Sequence, residues 1–138
     1  MIAENSAQLV SLIQGIAVLS KSTGLAAGGK TPDPAMIKIP LPAAWVLYAG
    51  DKPNEPQTGF NASNQVLTAN YVVMIYIPYI SAADLESNQY PMLEAVIQSI
   101  RGQQAPKGQR WRYEGQKLSV VNPDRLAYEQ RYSVVVSM

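Results

Sequence analysis

The sequence predicts an α+β fold, an antiparallel or mixed β-sheet with two α-helices packed on one face. Two stretches carry apolar residues at helical spacing, and two others alternate between apolar and polar residues as half-buried strands do. The later strands are joined by turns too short for anything but antiparallel pairing. At 138 residues the chain has the size of one domain, and a globular fold of about that length buries roughly 68–70% of its unfolded surface. A single domain over residues 1–138 is expected, with no internal repeat and no linker.

The first helix is read from about Asn5 to Ser22, where Leu9, Leu12, Ile13, Ile16 and Leu19 form one apolar stripe with Ser11 and Gln14 off it. Asn5 or Ser6 can cap its start, and Gly24 suits its stop. From Gly24 to Pro42 the chain carries three Gly and four Pro, which reads as an irregular crossing with an edge strand at Met36 to Ile39. Ala43 to Ala49, with Trp45, Val46, Leu47 and Tyr48, reads as a strand. A polar loop or arm of about sixteen residues follows, Gly50 to Gln65, long for a compact domain and of the length that usually carries function or disorder.

Val66 to Ile80 is the strongest strand signal. Leu67, Ala69, Tyr71, Val73, Ile75, Ile77 and Tyr79 fall on one face, and Thr68, Asn70, Met74 and Tyr76 on the other. A second helix runs from about Pro91 to Arg101, with Pro91 at the first helical position and Leu93, Val96, Ile97 and Ile100 as its stripe. Arg110 to Glu114 and Lys117 to Val121 read as a hairpin turning at Gly115-Gln116, and Asn122-Pro123-Asp124 as a type I turn. In the last strand Leu126, Tyr128, Gln130, Tyr132, Val134 and Val136 alternate with Arg125, Glu129, Arg131 and Ser133.

Composition narrows the function classes. Hydrophobic residues make up 47% and charged ones 15%, below the roughly 25% charge of ordinary soluble domains, so a partner covering part of the surface is expected. Eleven basic residues against ten acidic leave a net charge of +1, and dense basic patches of the kind that bind nucleic acid nonspecifically are not expected. There is no cysteine and no histidine, which removes disulfides, thiolate chemistry and the usual acid-base residue. No segment reaches the ~18 apolar residues of a membrane span. The start Met1-Ile2-Ala3-Glu4 lacks the basic opening of a signal peptide, so a cytosolic protein is expected.

Gly24-Leu25-Ala26-Ala27-Gly28-Gly29-Lys30-Thr31 satisfies the P-loop pattern. A phosphate cradle must follow a buried strand and open a helix, whereas here a helix precedes the match and Pro32, Pro34, Pro40 and Pro42 follow it. The segment reads as a glycine-rich loop, with a small nucleotide-binding enzyme using Lys30 as the alternative. Glu114, Asp124 and Glu129 could converge as a hydrolytic or metal cluster, but solvated strand and turn positions account for each of them. Asn61-Ala62-Ser63 fits a glycosylation sequon and carries no weight without a secretory signal. No catalytic residue, cofactor or metal is expected.

Arg110 and Arg112 alternate with Trp111 and Tyr113. On a strand the two sets face opposite ways, so the aromatics are assigned to the core and the arginines to solvent or a neighbouring subunit. Glu129 and Arg131 form a second candidate contact row, with Arg125 beside them. Lys52, Asn54, Glu55 and Phe60 of the polar loop are the remaining candidates for a subunit or partner interface.

Taken together, the order of elements resembles the tail terminator, or tail-completion, family of long-tailed bacteriophages, including the group typified by the Mu-like completion protein. The resemblance is carried by Gln8-Leu9-Val10, Pro42-Ala43-Ala44-Trp45-Val46-Leu47, Val72-Val73-Met74-Ile75-Tyr76 and Leu93-Glu94-Ala95-Val96. It is carried most by Tyr113-Glu114-Gly115-Gln116-Lys117-Leu118 followed by the run Leu126 to Val134, and it spans nearly the whole chain.

The resemblance implies a structural virion protein and no enzyme. Such a protein forms a homohexameric ring that caps the head-proximal end of the tail tube, stops tube polymerisation and offers the head-tail joining surface. Its implied partners are further copies of itself, the tail tube protein, the neck or connector proteins, and the sheath protein where the tail is contractile. Genomic DNA passes through the lumen without specific binding, no membrane is involved, and assembly takes place in the host cytoplasm. Another neck or connector component of the virion is the alternative within the same class, and a host adaptor of similar fold lies outside it.

Overall fold

A computed structural model describes residues 1–26, 41–54 and 65–137 of the chain. Helix α1 spans Ile2–Gln14 and buries Asn5, Ser6, Leu9 and Ile13. It is shorter than its apolar stripe predicts. Gly15 closes it and Ile16 turns extended at φ −87° and ψ 120°, as suits a glycine followed by a β-branched residue. Leu19 still reaches the core, but from a separate 3₁₀ turn, Ala17–Leu19.

Where the helix stop was expected at Gly24, a short strand β1 forms instead, Thr23–Leu25, and pairs in parallel with β2, Ala43–Pro53. Gly24 lies opposite Trp45, and a Cβ there would come to 3.3 Å from the indole ring. The strand expected at Met36 to Ile39 lies outside the described residues.

Strand β2 runs antiparallel to β3, Val66–Pro78. It also continues into what the sequence reads as the start of the polar loop. A bulge follows Tyr48, and pairing resumes at Gly50, at φ +106°, with Asn70 and continues with Asp51 to Ala69, Lys52 to Thr68 and Pro53 to Leu67. A glycine that adopts positive φ lets the ladder absorb an extra residue and carry on.

The second helix begins earlier than its stripe shows. Ser81 caps a short helix α2, Ala82–Asp84, through a bond from the Asp84 amide to Ser81 Oγ at 3.1 Å. One wide π turn, Leu85–Gln89, then leads into α3, Tyr90–Ile100. Pro91, expected at the first helical position, is instead the second residue of α3 and lies inside the continuous helical segment just after the π turn, and Met92, Leu93, Val96 and Ile100 are buried.

The expected hairpin at Gly115-Gln116 is one continuous strand, β4, Arg112–Asn122. Gly115, at φ +115°, makes a bulge rather than a turn, and the strand's partner holds it straight on both sides of the irregularity. That partner is β5, Arg125–Ser137, joined to β4 through Pro123 and Asp124.

The five described strands form one mixed sheet in the order β1-β2-β3-β5-β4. β3 is paired on both sides and has buried residues on both faces, and it reads as a nearly continuous apolar run because of that two-faced burial. Its odd-numbered residues from Ala69 to Ile77 join Leu126, Tyr132, Val134 and Val136 of β5 and the apolar faces of α1 and α3 in the main core. Both helices therefore cover one face. On the other face Val72, Met74, Tyr76 and Ala127 form a second buried cluster, with Leu41, Trp45 and Leu47 against it. Among the described residues no helix is long and apolar enough to cross a membrane.

The connector from α3 to β4 is pinned to α1. Asn5, fully buried, donates to the Lys107 carbonyl and accepts from the Lys107 amide, each at 3.0 Å. Trp111, also buried, donates its indole N–H to Gln8 Oε1 at 2.7 Å and meets the Tyr71 ring edge-on at 5.1 Å.

Candidate interaction surface

Register decides which side chains share the helix-free face of the sheet. Trp45, Met74, Glu129 and Lys117 lie in one cross-strand row; Leu47, Val72, Arg131 and Gly115 lie in the next. The apolar members sit toward β2 and β3 and the charged ones toward β5 and β4. Farther along, Lys52 lies opposite Thr68, and Asn70 opposite Ser133.

These last residues, with Glu114 and Arg131, line an open groove of about 510 Å³. The bulge at Gly115 brings Glu114 over Ser133, whose hydroxyl donates to Glu114 Oε1 at 2.6 Å. Asn54 Oδ1 accepts from Thr68 Oγ1 at 2.9 Å and so ties the end of β2 to the start of β3.

Glu129 holds two cations at once, Lys117 Nζ at 3.3 Å and Arg131 Nη2 at 3.3 Å. The Lys117 and Arg131 side chains are 63% and 56% exposed, and ion pairs that wet contribute at most about 1 kcal/mol to stability. Their value is directional: a guanidinium has five donors, and Glu129 engages one of the two terminal nitrogens of Arg131.

Arg110 and Arg112 are exposed as expected, while Trp111 is buried and Tyr113 half-buried against the core. Arg110 donates to the Gly102 carbonyl at 2.7 Å. Arg112 lies across from Ser133 on the outer strand. Lys52 and Arg131 thus line the groove and Asn54 is bonded to its Thr68, Arg110 and Arg112 stand along the β4 side of the domain, and Glu55 and Phe60 lie outside the described residues.

The three carboxylates weighed as a hydrolytic cluster are engaged separately: Glu114 with Ser133, Glu129 with its two cations, and Asp124 with Arg125 at 3.6 Å in the β4–β5 turn. Among the described residues no group of three or more acidic, His or Cys side chains is placed to hold a metal. Of the P-loop-like match, Gly24 and Leu25 belong to β1, and everything from Ala27 on, Lys30 included, lies outside the described residues. The sequon at Asn61 also lies outside them.

Two tyrosines lie on the core side of the sheet, Tyr132 within the main core and Tyr48 packed against it. Burial, then the neighbouring Tyr113, pushes the Tyr132 hydroxyl far up from its ordinary range. Tyr48, whose hydroxyl donates to the Asp51 carboxylate, is pushed up to about 12 by burial first and by that carboxylate second.

The sequence matches the model of the family described as phage tail terminator protein over residues 23–138, which takes in all five described strands and α3. The chain belongs to the phage tail terminator family. As a tail terminator family member it is a structural component of the virion tail and associates with other virion proteins. No curated protein matches the chain. Among solved structures it is similar to a chain of the virion of a native gene transfer agent (GTA) particle, with a TM-score of 0.62 at 13% identity, covering 99% of this chain and 96% of that one. At that identity the likeness is one of fold, and it extends over the whole domain.

Thr68, Asn70 and Ser133 are the members of the groove that sequence reasoning did not single out. Their polar character inside strong strand patterns was the available signal.

Proposed function

We propose that this tail terminator works as a closed ring of identical subunits, a hexamer, that caps the head-proximal end of the tail tube. The ring stops further addition of tube subunits and presents the surface to which the neck or connector proteins of the filled head attach. Where the tail is contractile, the sheath protein is a further neighbour. DNA passes through the lumen without being held by it.

The family match over residues 23–138 carries this reading. A ring requires a heterologous contact, in which one surface of a subunit meets a different surface of the next and the rotation between them closes. Arg110, Arg112, Glu129 and Arg131, with Lys52, Asn54, Glu55 and Phe60, are the residues we assign to subunit or partner contacts. The mixed charges of the Lys117, Glu129 and Arg131 row suit such a contact, since it gives direction without a large apolar patch.

Negative-stain microscopy and light scattering of the purified protein test the proposal, together with its binding to isolated tail tubes. Rings that bind one tube end and halt elongation are expected. A protein that stays single at high concentration and also ignores tube ends would refute it. Arg131→Glu tests the contact row within it: weakened assembly with an unchanged fold is expected, and normal assembly removes that row from the interface.

A further inference from the structure

The net charge of +1 conceals a segregation. Residues 101–117 carry five of the chain's eleven basic residues and one acidic residue, whereas residues 82–100 carry three acidic residues and no basic one. Structure turns this into two surfaces. The acidic stretch is the helical segment α2 to α3, which lies on one face of the sheet; the basic stretch is the connector and the first half of β4, an outer strand.

Glu86 and Glu94 are exposed on the first, and Arg101, Lys107, Arg110 and Arg112 are exposed on the second. Among the described residues no ion pair joins the two sets. Glu86 lies fifteen positions before Arg101, about 22 Å along a helical segment at ~1.5 Å per residue. That is beyond the ~8 Å over which exposed charges act on one another at physiological salt, so Glu86 and Arg101 leave each other's charge unneutralised within one subunit.

We propose that neighbouring copies neutralise these charges, the basic strip Arg101 to Arg112 of one subunit seating against the acidic helical segment Glu86 to Glu94 of the next. This rests on the ring of identical copies proposed above and names the surfaces that close it. Charge complementarity selects the geometry: two copies joined through the same patch would set like charges together, while a head-to-tail contact pairs opposite ones in every copy. A second copy fits better than nucleic acid, because Trp111 is buried and Tyr113 half-buried, which removes the aromatic faces that would stack bases, and because the acidic partner surface is on the chain itself.

The test uses two reversed variants of the full chain. One carries Arg101→Glu with Arg112→Glu, the other Glu86→Lys with Glu94→Lys, all at exposed positions that hold no ion pair in the subunit. Each alone should assemble at least about tenfold more weakly than the wild type, and an equimolar mixture should recover assembly as alternating copies. Recovery on mixing is something a misfolded variant cannot give. If both variants assemble like the wild type, or if two well-folded variants fail to recover when mixed, this contact is refuted and the ring itself stands. If the wild type never assembles, the ring falls and this contact with it. If the first variant assembles normally but loses binding to a short DNA duplex that the wild type binds, the strip is a nucleic-acid contact and the proposal is overturned.

Discussion

The side-chain amide of Gln130 donates to the backbone carbonyl of Leu93 at 3.1 Å, joining the middle of β5 to α3 above it. Gln130 is fully buried, its amide also reaches Gln116 Oε1 at 3.2 Å, and its own carbonyl accepts from the Tyr132 hydroxyl at 2.7 Å. Gln130→Leu keeps the volume but leaves the buried Tyr132 hydroxyl unpaired, which costs about 1–3 kcal/mol. Urea denaturation should show that loss, and adding Tyr132→Phe should recover part of it.

Trp111 closes the end of the core between α1 and β3. Trp111→Ala removes its packing on Tyr71 and its bond to Gln8, and a loss of about 3–5 kcal/mol is expected from truncating a buried aromatic. Trp111→Phe, which keeps the ring contact and loses the N–H, should cost clearly less in the same thermal or urea unfolding experiment.

Gly108 and Gly115 both hold positive φ, +143° and +115°, but their surroundings differ. A Cβ at Gly108 would stand 2.8 Å from the Val135 carbonyl oxygen and 2.9 Å from a Val134 methyl, whereas one at Gly115 would meet nothing within 4 Å. Gly115→Ala should therefore cost only the backbone strain, on the order of 1–3 kcal/mol, and Gly108→Ala distinctly more. Equal unfolding midpoints for the two variants would contradict this packing.

Alkaline pH should unfold the protein through its tyrosines. Tyr48, Tyr71 and Tyr132 all have raised folded-state values, burial being the first cause for each. Once the pH passes the ordinary value of 10.0, the unfolded chain gives up protons that the folded one keeps, so stability, fully present below 10.0, falls as pH rises through the folded values, about 12 for Tyr48. Unfolding midpoints measured across that window should decline, and Tyr48→Phe should flatten the decline. Tyrosinate absorbance that rises in full near pH 10.0 with the fold intact would exclude the mechanism.

Much of this was legible in the chain, and what was not has identifiable causes. The core faces of β3 and β5 followed from alternation, but the burial of Val72, Met74 and Tyr76 on the other face of β3 did not, since the sequence reads that face as amphipathic. α3 followed from its stripe, but the segment before it, Ala82 to Gln89, holds one large apolar residue, Leu85, and so shows no period. β1 has three residues and pairs with a strand some twenty positions on, too short for a pattern and too distant for a local signal. Gly115 signals either a turn or a bulge, and only the long partner β5 decides for the bulge. Likewise the Glu129 and Arg131 row was visible, whereas its link to Lys117 and the groove around Thr68, Asn70 and Ser133 depend on register across three strands.

The place of β5 between β3 and β4 governs how the molecule can fold. β4 has no partner but β5 among the described strands, so the two form a local hairpin through Pro123 and Asp124. β5 meets β3 only by bringing Arg125 to Pro78 and Ser137 to Val66, a closure across the entire helical segment that forfeits chain entropy before any contact compensates it. Docking of the hairpin is then expected to be the slow event, and until it happens the β3 flank stands open as a template for another molecule's strand, the point at which aggregation competes with folding.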